Sequence, residues 1–235
     1  MNGFLTVIIP NYNNKKGLQY LLNYFKEKPY KVIVVDNRIK NLGFAGGVNK
    51  GAENIKTKWL LVLNDDIEFI DNSSVDKLIQ FAEKQKLDAV SPILRNQDGR
   101  VENYGYKILP IGKVKLFNEF SEFNELDGIT AACLLVKTEV FKKLRGFDES
   151  FFAYLEDVDF FLRMKDYKFG IAYHIEVLHN HMTTTSTMGN FKARQDMINW
   201  WKLYFKHPEK LKFNLDFILE RLRNVSGYIK ASLKI

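Results

Sequence analysis

Two adjacent carboxylates follow a run of apolar residues in the stretch WLLVLNDDIEF, at positions 59–69. Asp65 and Asp66 repel each other at the edge of an apolar core unless something compensates their charge. Divalent cations prefer carboxylate oxygens, and a diphosphate can supply further oxygen ligands. The pair therefore predicts a cation site. The alternative without chemistry is an Asp-rich turn that caps the next helix.

A second acidic cluster, Glu156, Asp157 and Asp159, lies in the stretch FFAYLEDVDFFLRM. If a helix begins here, Asp157 near its start can project into a cleft walled by the neighbouring aromatic side chains. A carboxylate in that position can act as a general base for a hydroxyl nucleophile. The alternative is structural, because acids favour the first helical turn. Asp159 and Arg163, four residues apart, can also simply pair on the helix surface.

Two histidines follow in the stretch VLHNHMTTTST. Residues two apart share a face of a strand, so His179 and His181 point the same way. Either can ligate a metal or bind phosphate. A lone histidine is more often structural, but the hydroxyl-rich run behind this pair keeps the functional interpretation open.

A carboxylate and a glycine-rich segment come earlier in the chain. Asp36 ends the apolar stretch YKVIVVDN and can accept hydrogen bonds from a ribose or a base. The segment NLGFAGGVNKG is predicted to be a loop-to-helix transition, where glycines admit a ligand and a helix N-terminus favours phosphate. Its spacing matches neither the dinucleotide fingerprint nor the P-loop, so a dehydrogenase or a P-loop ATPase is not supported.

The elements that position these residues follow from hydrophobic periodicity. Strands and helices alternate over the first 90 residues, which predicts an α/β fold with a mostly parallel sheet and helices on both faces. The polar ends of the three strands, at 10–13, 36–37 and 64–66, should meet at one edge. Ligands bind at that edge in such sheets.

The rest of the chain is less regular. The segment 101–117 predicts a hairpin or an excursion over the acceptor side, and 128–144 predicts a strand and a short helix. After Gly189 the pattern predicts two amphipathic helices separated by His207 and Pro208. We therefore expect one large domain in two halves, followed by a helical appendage. The expected bounds are 1–90, 91–189 and 190–235.

Composition and charge limit the classes of protein. The chain has 235 residues, is 46% hydrophobic and has one cysteine, Cys133, so an internal disulfide and a multi-cysteine zinc site are excluded. No signal peptide or membrane-spanning run is recognisable, which predicts a cytoplasmic protein. The net charge is +7, and residues 190–235 hold ten Lys/Arg against four Asp/Glu. This basic tail indicates an anionic membrane surface, a polyanion or a phosphorylated substrate as partner, or a solvated helix face.

Several of these motifs stand in one order: VIIPNYN, VVDN, NLGFAGGVNKG, LVLNDDI, RGFDESFFAYLEDVD and VLHNHMTTTST. Together they resemble the family 2 glycosyltransferases with the GT-A (Rossmann-like) fold, and most of all bacterial rhamnosyltransferase-like enzymes of cell-envelope polysaccharide assembly. The resemblance covers about residues 4–206. It implies that residues 1–189 form a GT-A catalytic domain, with a nucleotide-sugar half over about 1–90 and an acceptor half over about 91–189. It implies an inverting transfer of a sugar, with rhamnose as one option, from a dTDP- or UDP-linked donor to a hydroxyl of a glycan or lipid-linked acceptor.

The resemblance also implies roles for individual residues. Asp157 matches the catalytic base, with Glu156 and Tyr154 on the acceptor side. Asp66 matches the ligand of a divalent cation, Mg²⁺ or Mn²⁺, supported by His179 or His181. The residues implied in donor binding are Pro10, Asn11, Tyr12, Asp36, Asn41, Gly43, Phe44, Ala45, Gly46, Asn49, Asn64 and Asp65.

This sequence departs from the family pattern in two places. Asp65 stands where close relatives often have proline. The residues RIKN follow VVDN, where relatives usually have a Ser-containing turn and an acid. Arg38 and Lys40 can contact the donor instead.

Other functions were weighed against this one. A sugar nucleotidyltransferase usually has a Gly-rich signature after its first strand, where this chain reads NYNNKKG. A non-enzymatic protein that binds nucleic acid or another anion would use the basic tail, but the acidic strand ends would repel nucleic acid, so none is expected as a partner. A degenerate glycosyltransferase that binds donors without turnover is the third alternative, against which Asp66 and Asp157 argue.

The aromatic residues of the tail allow two interpretations. Trp200, Trp201, Tyr204 and Phe205 can lie on an anionic bilayer, which would place the protein peripherally at the inner face of the cell membrane. The alternative is that these side chains pack on the catalytic domain.

Overall fold

The computed structural model describes residues 3–118, 126–180 and 190–233. Strands and helices alternate in the first half, as predicted. Its elements are β1 (Leu5–Asn11), α1 (Lys15–Phe25), β2 (Lys31–Asp36), α2 (Gly43–Ala52), β3 (Trp59–Leu63), β4 (Ile67–Phe69) and α3 (Ser74–Lys84).

The second half contributes shorter strands and four helices. Its elements are β5 (Ala89–Arg95), β6 (Val101–Asn103), β7 (Tyr106–Leu109), β8 (Lys113–Leu116), β9 (Cys133–Lys137), α4 (Thr138–Lys143), α5 (Glu156–Arg163), β10 (Phe169–His179), α6 (Phe191–Lys206) and α7 (Leu215–Leu233). The segment 101–117 supplies β6 and the β7–β8 hairpin, and 128–144 supplies the predicted strand and short helix.

The central sheet has the order β2-β1-β3-β9-β5-β10-β4, and β6 pairs with β5. β1 runs parallel to β2 and β3, and β5 runs parallel to β10. The antiparallel strand β9 joins these two parallel groups, and β4 is antiparallel to β10. The predicted α/β sheet with a mostly parallel core is therefore confirmed.

Strand alternation builds one hydrophobic layer on each face of the sheet. In β3, Trp59, Leu61 and Leu63 face the layer that α1 and α3 cover. Leu60 and Val62 face the opposite layer, which α2, α4 and α5 cover. Because successive side chains of a strand point to opposite faces, the continuous apolar run of β3 serves both layers.

The glycine-rich segment is largely helical, which corrects the predicted loop-to-helix transition. Gly46, Gly47 and Gly51 lie inside α2. A Cβ at Gly47 would come within 3.0 Å of the Pro10 side chain, and one at Gly51 within 2.6 Å of Ile8. Gly47 and Gly51 therefore let α2 pack closely on β1, so their role is helix–sheet packing.

The two C-terminal helices form a third apolar cluster together with the β7–β8 hairpin. Trp200 and Phe217 are buried in it, and Trp201 and Tyr204 pack against it. These tail aromatics thus pack on the rest of the chain, while Phe205 is exposed. Among the described residues, no helix is long and apolar enough to cross a membrane.

A buried carboxylate ties α6 to α5. Asp159 accepts a hydrogen bond from Arg163 (2.8 Å), so the predicted pairing forms, but within the protein and not on the helix surface. His207 Nε2 and Lys206 Nζ lie 2.9 and 2.6 Å from its other oxygen. Burial opposes ionisation of Asp159, but the hydrogen bonds from His207 and Lys206 outweigh it and lower the pKa to about 2.

We expect Asp159→Asn to lower the free energy of unfolding by about 3 kcal/mol, because three cationic or polar groups lose a buried partner. Since the folded pKa lies below the unfolded value of about 4, the stabilisation is present above pH 4 and disappears as the pH falls towards 2. Urea unfolding between pH 2 and 7 measures both effects. The exposed Asp166→Asn is the matched control, and equal losses for the two variants would contradict the assignment.

Candidate functional site

The polar strand ends meet in one cavity of about 750 Å³. Pro10 of β1, Asn37 after β2 and the segment 64–66 after β3 all line it, as the parallel topology predicts. Its other walls come from the loop before α5, the β7–β8 hairpin and the two C-terminal helices. The cavity therefore spans both halves of the chain.

The two adjacent aspartates point to different partners. Asp65 accepts hydrogen bonds from Asn11 Nδ2 (2.7 Å) and, at 3.4 Å, from Asn14 Nδ2. Asp66 Oδ1 lies 3.3 Å from His179 Nε2. That contact is an ion pair without hydrogen-bond geometry, and among the described residues the buried Oδ1 accepts no hydrogen bond.

Asn14 fixes the position of Asp65 through the start of α1. Its side chain accepts the N–H of Gly17 (2.9 Å) as the helix cap and donates to the carbonyl of Asp65 (2.9 Å). A Cβ at Gly17 would come within 1.9 Å of that same carbonyl, so only glycine allows the loop to approach. Burial and then the charge of Asp66 raise the pKa of Asp65 to about 6.

His179 reaches the site because β10 pairs with β4. Its partner in the register is Ile67, directly after Asp66. On its other side, His179 Nδ1 lies 3.0 Å from Glu102 Oε2, and Glu102 on β6 also lines the cavity. Burial opposes protonation of His179, but the carboxylates of Asp66 and Glu102 outweigh it and raise the pKa to about 9.

These residues fit a divalent cation. Asp66 offers a buried oxygen that lacks a hydrogen bond, and a carboxylate behind a histidine orients the ring, as it does for metal-ligating histidines. No group of three potential ligands is assembled among the described residues, so water or a diphosphate would have to complete the coordination. His181 lies outside the described residues.

Asp157 and Glu156 stand at the N-terminus of α5 and line the same cavity. Asp157 Oδ1 accepts the N–H of Val158 (2.8 Å). Burial raises the pKa of both carboxyl groups, and the charge of Asp157 raises that of Glu156 further. A carboxylate with a raised pKa in a cleft is suited to accept a proton.

The loop before α5 has a strained backbone and is held by a side chain of α6. Tyr154 and Leu155 adopt φ angles of 66° and 68°, which are uncommon for side chains of this size. The fully buried Asn199 of α6 donates to the carbonyls of Ala153 (2.9 Å) and Tyr154 (2.8 Å). Asn199 thus fixes the turn that presents Asp157, and its sequence position gave no indication of this.

The structure divides the residues implied in donor binding. Those that line the cavity are Pro10, Tyr12, Asn41, Gly43, Phe44, Asn64 and Asp65, and the acceptor-side Tyr154 and Glu156 line it as well. Those outside its lining are Asn11, Asp36, Ala45, Gly46 and Asn49. Asn11 instead supports Asp65, and Ala45 belongs to the hydrophobic core.

Asp36 is exposed and pairs with Arg38, and its neighbour Asn37 lines the cavity. Because adjacent side chains of a strand point to opposite faces, Asp36 faces solvent while Asn37 faces the cavity. The Arg38 guanidinium holds the pKa of Asp36 at about 2. Asn37 donates to the carbonyl of Gly43 (3.0 Å) and keeps a buried oxygen without a partner among the described residues.

The start of α2 contacts the loop of the acidic cluster. Gly43 has a φ of +69°, and a Cβ there would come within 2.0 Å of the carbonyl of Phe152. The N–H of Phe44 donates to that carbonyl (2.9 Å). The side chain of Asn49 donates to the carbonyl of Phe147 and accepts a hydrogen bond from its N–H. Gly43 and Asn49 therefore join α2 to the loop that precedes α5 and Asp157.

Most unsatisfied polar atoms of the described residues belong to this cavity. Among the described residues, seven buried side-chain atoms lack a hydrogen-bond partner. Five of these seven atoms are on residues that line the cavity. These five residues are Asn37, Asp66, Tyr106, Glu156 and Arg221. Buried polar groups are normally satisfied, so this concentration indicates the binding of a polar ligand.

A cavity at the carboxyl edge of the parallel strands is where open α/β sheets bind their ligands. The model of glycosyl transferase family 2 matches residues 37–145. A solved structure of mannosyltransferase PcManGT from Pyrobaculum calidifontis, in complex with GDP-Man and Mn²⁺, superimposes with a TM-score of 0.64. That match covers 99% of this chain and 74% of the other at 14% identity, which shows a common fold.

Two curated relatives belong to polysaccharide assembly. The O-antigen biosynthesis protein RfbC of Myxococcus xanthus is 30% identical over 129 residues, 49% of this chain. The N-acetylglucosaminyl-diphospho-decaprenol L-rhamnosyltransferase of Mycobacterium tuberculosis is 25% identical over 150 residues, 51% of this chain. The aligned parts span 10% and 48% of these relatives. Together with the family match and the shared GT-A fold, they support a family 2 glycosyltransferase.

Proposed function

We propose that this chain transfers a sugar from a nucleotide-diphosphate donor to a hydroxyl group with inversion, and that Asp157 is the general base. The observation that carries the proposal is the single cavity that holds Asp66 and His179 at the strand ends and Asp157 at the start of α5. A sugar hydroxyl is a poor nucleophile at neutral pH. Asp157 would accept its proton as it attacks the anomeric carbon, and direct displacement inverts that centre.

The donor would lie along the carboxyl edge of the parallel strands. Tyr12, Asn37 and Phe44 line that part and are available to the nucleotide, which we propose is UDP or dTDP. Asp66 and His179, with Asp65 beside them, would hold Mg²⁺ or Mn²⁺. When bound, the cation offsets the charge of the leaving diphosphate. The relative named as an L-rhamnosyltransferase makes rhamnose one option for the donor sugar.

The acceptor would enter from the side of Tyr154 and Glu156. We propose a glycan or a lipid-linked glycan, because one relative is named for a diphospho-decaprenol acceptor. A sugar nucleotidyltransferase and a nucleic-acid-binding protein are less compatible with the family match and with the acidic strand ends.

Helix α7 would bring the enzyme to a membrane surface, at the inner face of the cell membrane. Its outer face exposes a continuous apolar stripe at helical spacing, and basic residues lie beside it. The exposed apolar residues are Leu215, Ile218, Leu219, Leu222, Val225, Ile229 and Leu233. Because residues 190–235 carry a net charge of +6, we propose anionic lipid as the occupant of this stripe.

We expect UDP with Mn²⁺ to raise the melting temperature of the wild-type protein, and Asp66→Asn to abolish the part that depends on Mn²⁺. The variant loses a charged ligand of the proposed cation. Thermal shift with and without EDTA measures this. The exposed Asp166→Asn is the control and should behave as wild type. Failure of every UDP-, dTDP- or GDP-sugar to stabilise the wild type would rule out the donor proposal.

We expect Asp157→Asn to keep donor affinity and to lower the rate of transfer by about 10²- to 10⁴-fold, because an amide cannot accept the proton. The raised pKa of Asp157 predicts that the wild-type rate falls on acidification at a higher pH than for an ordinary aspartate. Transfer to lipid extract acceptors and calorimetry with UDP measure the two quantities. Asp166→Asn is the control, and a normal rate for Asp157→Asn would disprove the assignment.

We expect the double variant Leu222→Glu with Ile229→Glu to lose binding to phosphatidylglycerol vesicles, because both substitutions place charge on the apolar stripe. Vesicle flotation at low salt is the measurement. Gln19→Glu with Gln85→Glu adds the same charge at exposed sites elsewhere and should still bind. If the wild type fails to float, or if it forms dimers through α7 as seen by light scattering, the membrane proposal is wrong.

A further inference from the structure

Arg221 is a buried cation in the acceptor part of the cavity. The residue is 3% exposed, lies on the inner face of α7 and lines the same cavity as Asp157. Its Nη2 donates to the carbonyl of Gly112, and its Nε donates to Asn224 Oδ1 (2.9 Å). Its Nη1 has no hydrogen-bond partner among the described residues.

The surroundings hold this guanidinium in place while leaving Nη1 unsatisfied. Its Cζ lies over the rings of Trp200 and Phe217, at 4.9 and 4.7 Å from the ring centroids. A Cβ at Gly112 would come within 2.4 Å of Nη1, so the glycine makes room for it at the β7–β8 turn. Burial lowers the pKa of Arg221 to about 10, which leaves the group charged at neutral pH.

The acids near Arg221 already have other cationic partners. Glu220 lies 2.6 Å from Arg223 and 3.8 Å from Lys113, while Asp196 pairs with Lys192 at 2.7 Å. A purely structural role, holding the β7–β8 turn, explains the contact of Nη2 with Gly112 but not the unsatisfied Nη1. A buried charged donor without a partner is costly and indicates a missing anionic ligand.

The chemistry around Arg221 suggests which anion. Lys113, at the same turn, also lines the cavity and adds a second cation. Val114, Leu116 and Trp200 provide an apolar wall beside them. On the outside of the same helix runs the exposed apolar stripe. A phosphoryl group attached to an apolar chain matches all three features.

We propose that Arg221, assisted by Lys113, binds the phosphoryl group of a lipid-phosphate acceptor and so positions its sugar hydroxyl towards Asp157. This rests on the proposed transferase function and adds to it a specific anion subsite. Phosphoryl oxygens accept charge-assisted hydrogen bonds from guanidinium groups, so Nη1 would gain the partner that it lacks. The two faces of α7 would then contact the two ends of one ligand. The inner face would bind the phosphate, and the outer face would contact the lipid chain.

The test is calorimetric binding of geranyl phosphate to the full chain in EDTA, with geraniol and inorganic phosphate as comparison probes. We expect Arg221→Gln to weaken geranyl phosphate binding about tenfold or more and to leave geraniol binding unchanged. Arg221→Lys should keep part of the affinity. Lys230→Gln, further along the same helix and exposed, is the matched control and should bind as the wild type does.

Each outcome decides one point. Geranyl phosphate binding that exceeds that of phosphate and geraniol assigns the anion to a lipid phosphate, and equal binding of inorganic phosphate supports a free phosphoryl anion at the same group. Equal weakening by Arg221→Gln and Lys230→Gln, equal loss of geraniol binding, or no binding of geranyl phosphate to the wild type overturns the subsite. The thermal shift with UDP and Mn²⁺, measured on the same proteins without EDTA, tests the donor site separately, so either proposal can fail alone.

Discussion

The repulsion between Asp65 and Asp66 is the constraint around which the site is built. Two like charges on adjacent residues are tolerated because the structure directs them apart. Asp65 turns towards the amides of Asn11 and Asn14 at the end of β1, and Asp66 turns towards His179 at the end of β10. Strands from both halves of the sheet are needed to do this. The carboxyl edge of the sheet therefore carries the two adjacent aspartates and is also where the two halves of the sheet meet.

The second half of the chain serves the same site through the loop before α5. That loop takes up two left-handed residues to present Asp157, and its carbonyls are held by Asn199 of α6 and by the start of α2. The buried Asp159, with His207 and Lys206, fixes α6 against α5. The C-terminal helices are consequently part of the architecture that positions the acidic cluster, while the boundary at residue 189 stays a prediction.

Helix α7 has a polar inner side at the cavity and an exposed apolar outer side. Its inner face places Arg221 and Glu220 in the polar cavity, and its outer face exposes leucine and isoleucine side chains. The tail aromatics that first suggested a membrane contact pack inside instead, with Phe205 as the exception. The surface that remains available for a lipid is therefore aliphatic and lies one helix further along the chain.

The sequence by itself determined the alternation of strands and helices, the acidic strand ends and their meeting at one edge, because periodicity and parallel topology are local and general rules. It also placed Asp157, Asp66 and His179 in the family pattern, and all three line the cavity. Only the tertiary structure decided that Asn37, and not its neighbour Asp36, lines the cavity. It also brought in Glu102 and Arg221 as lining residues and Asn199 as the support of the loop before α5, and no sequence motif marked these three. The roles of Glu102, Asn199 and Arg221 depend on which distant strand or helix packs alongside, and contacts across 45 to 109 residues leave no periodic trace in the sequence.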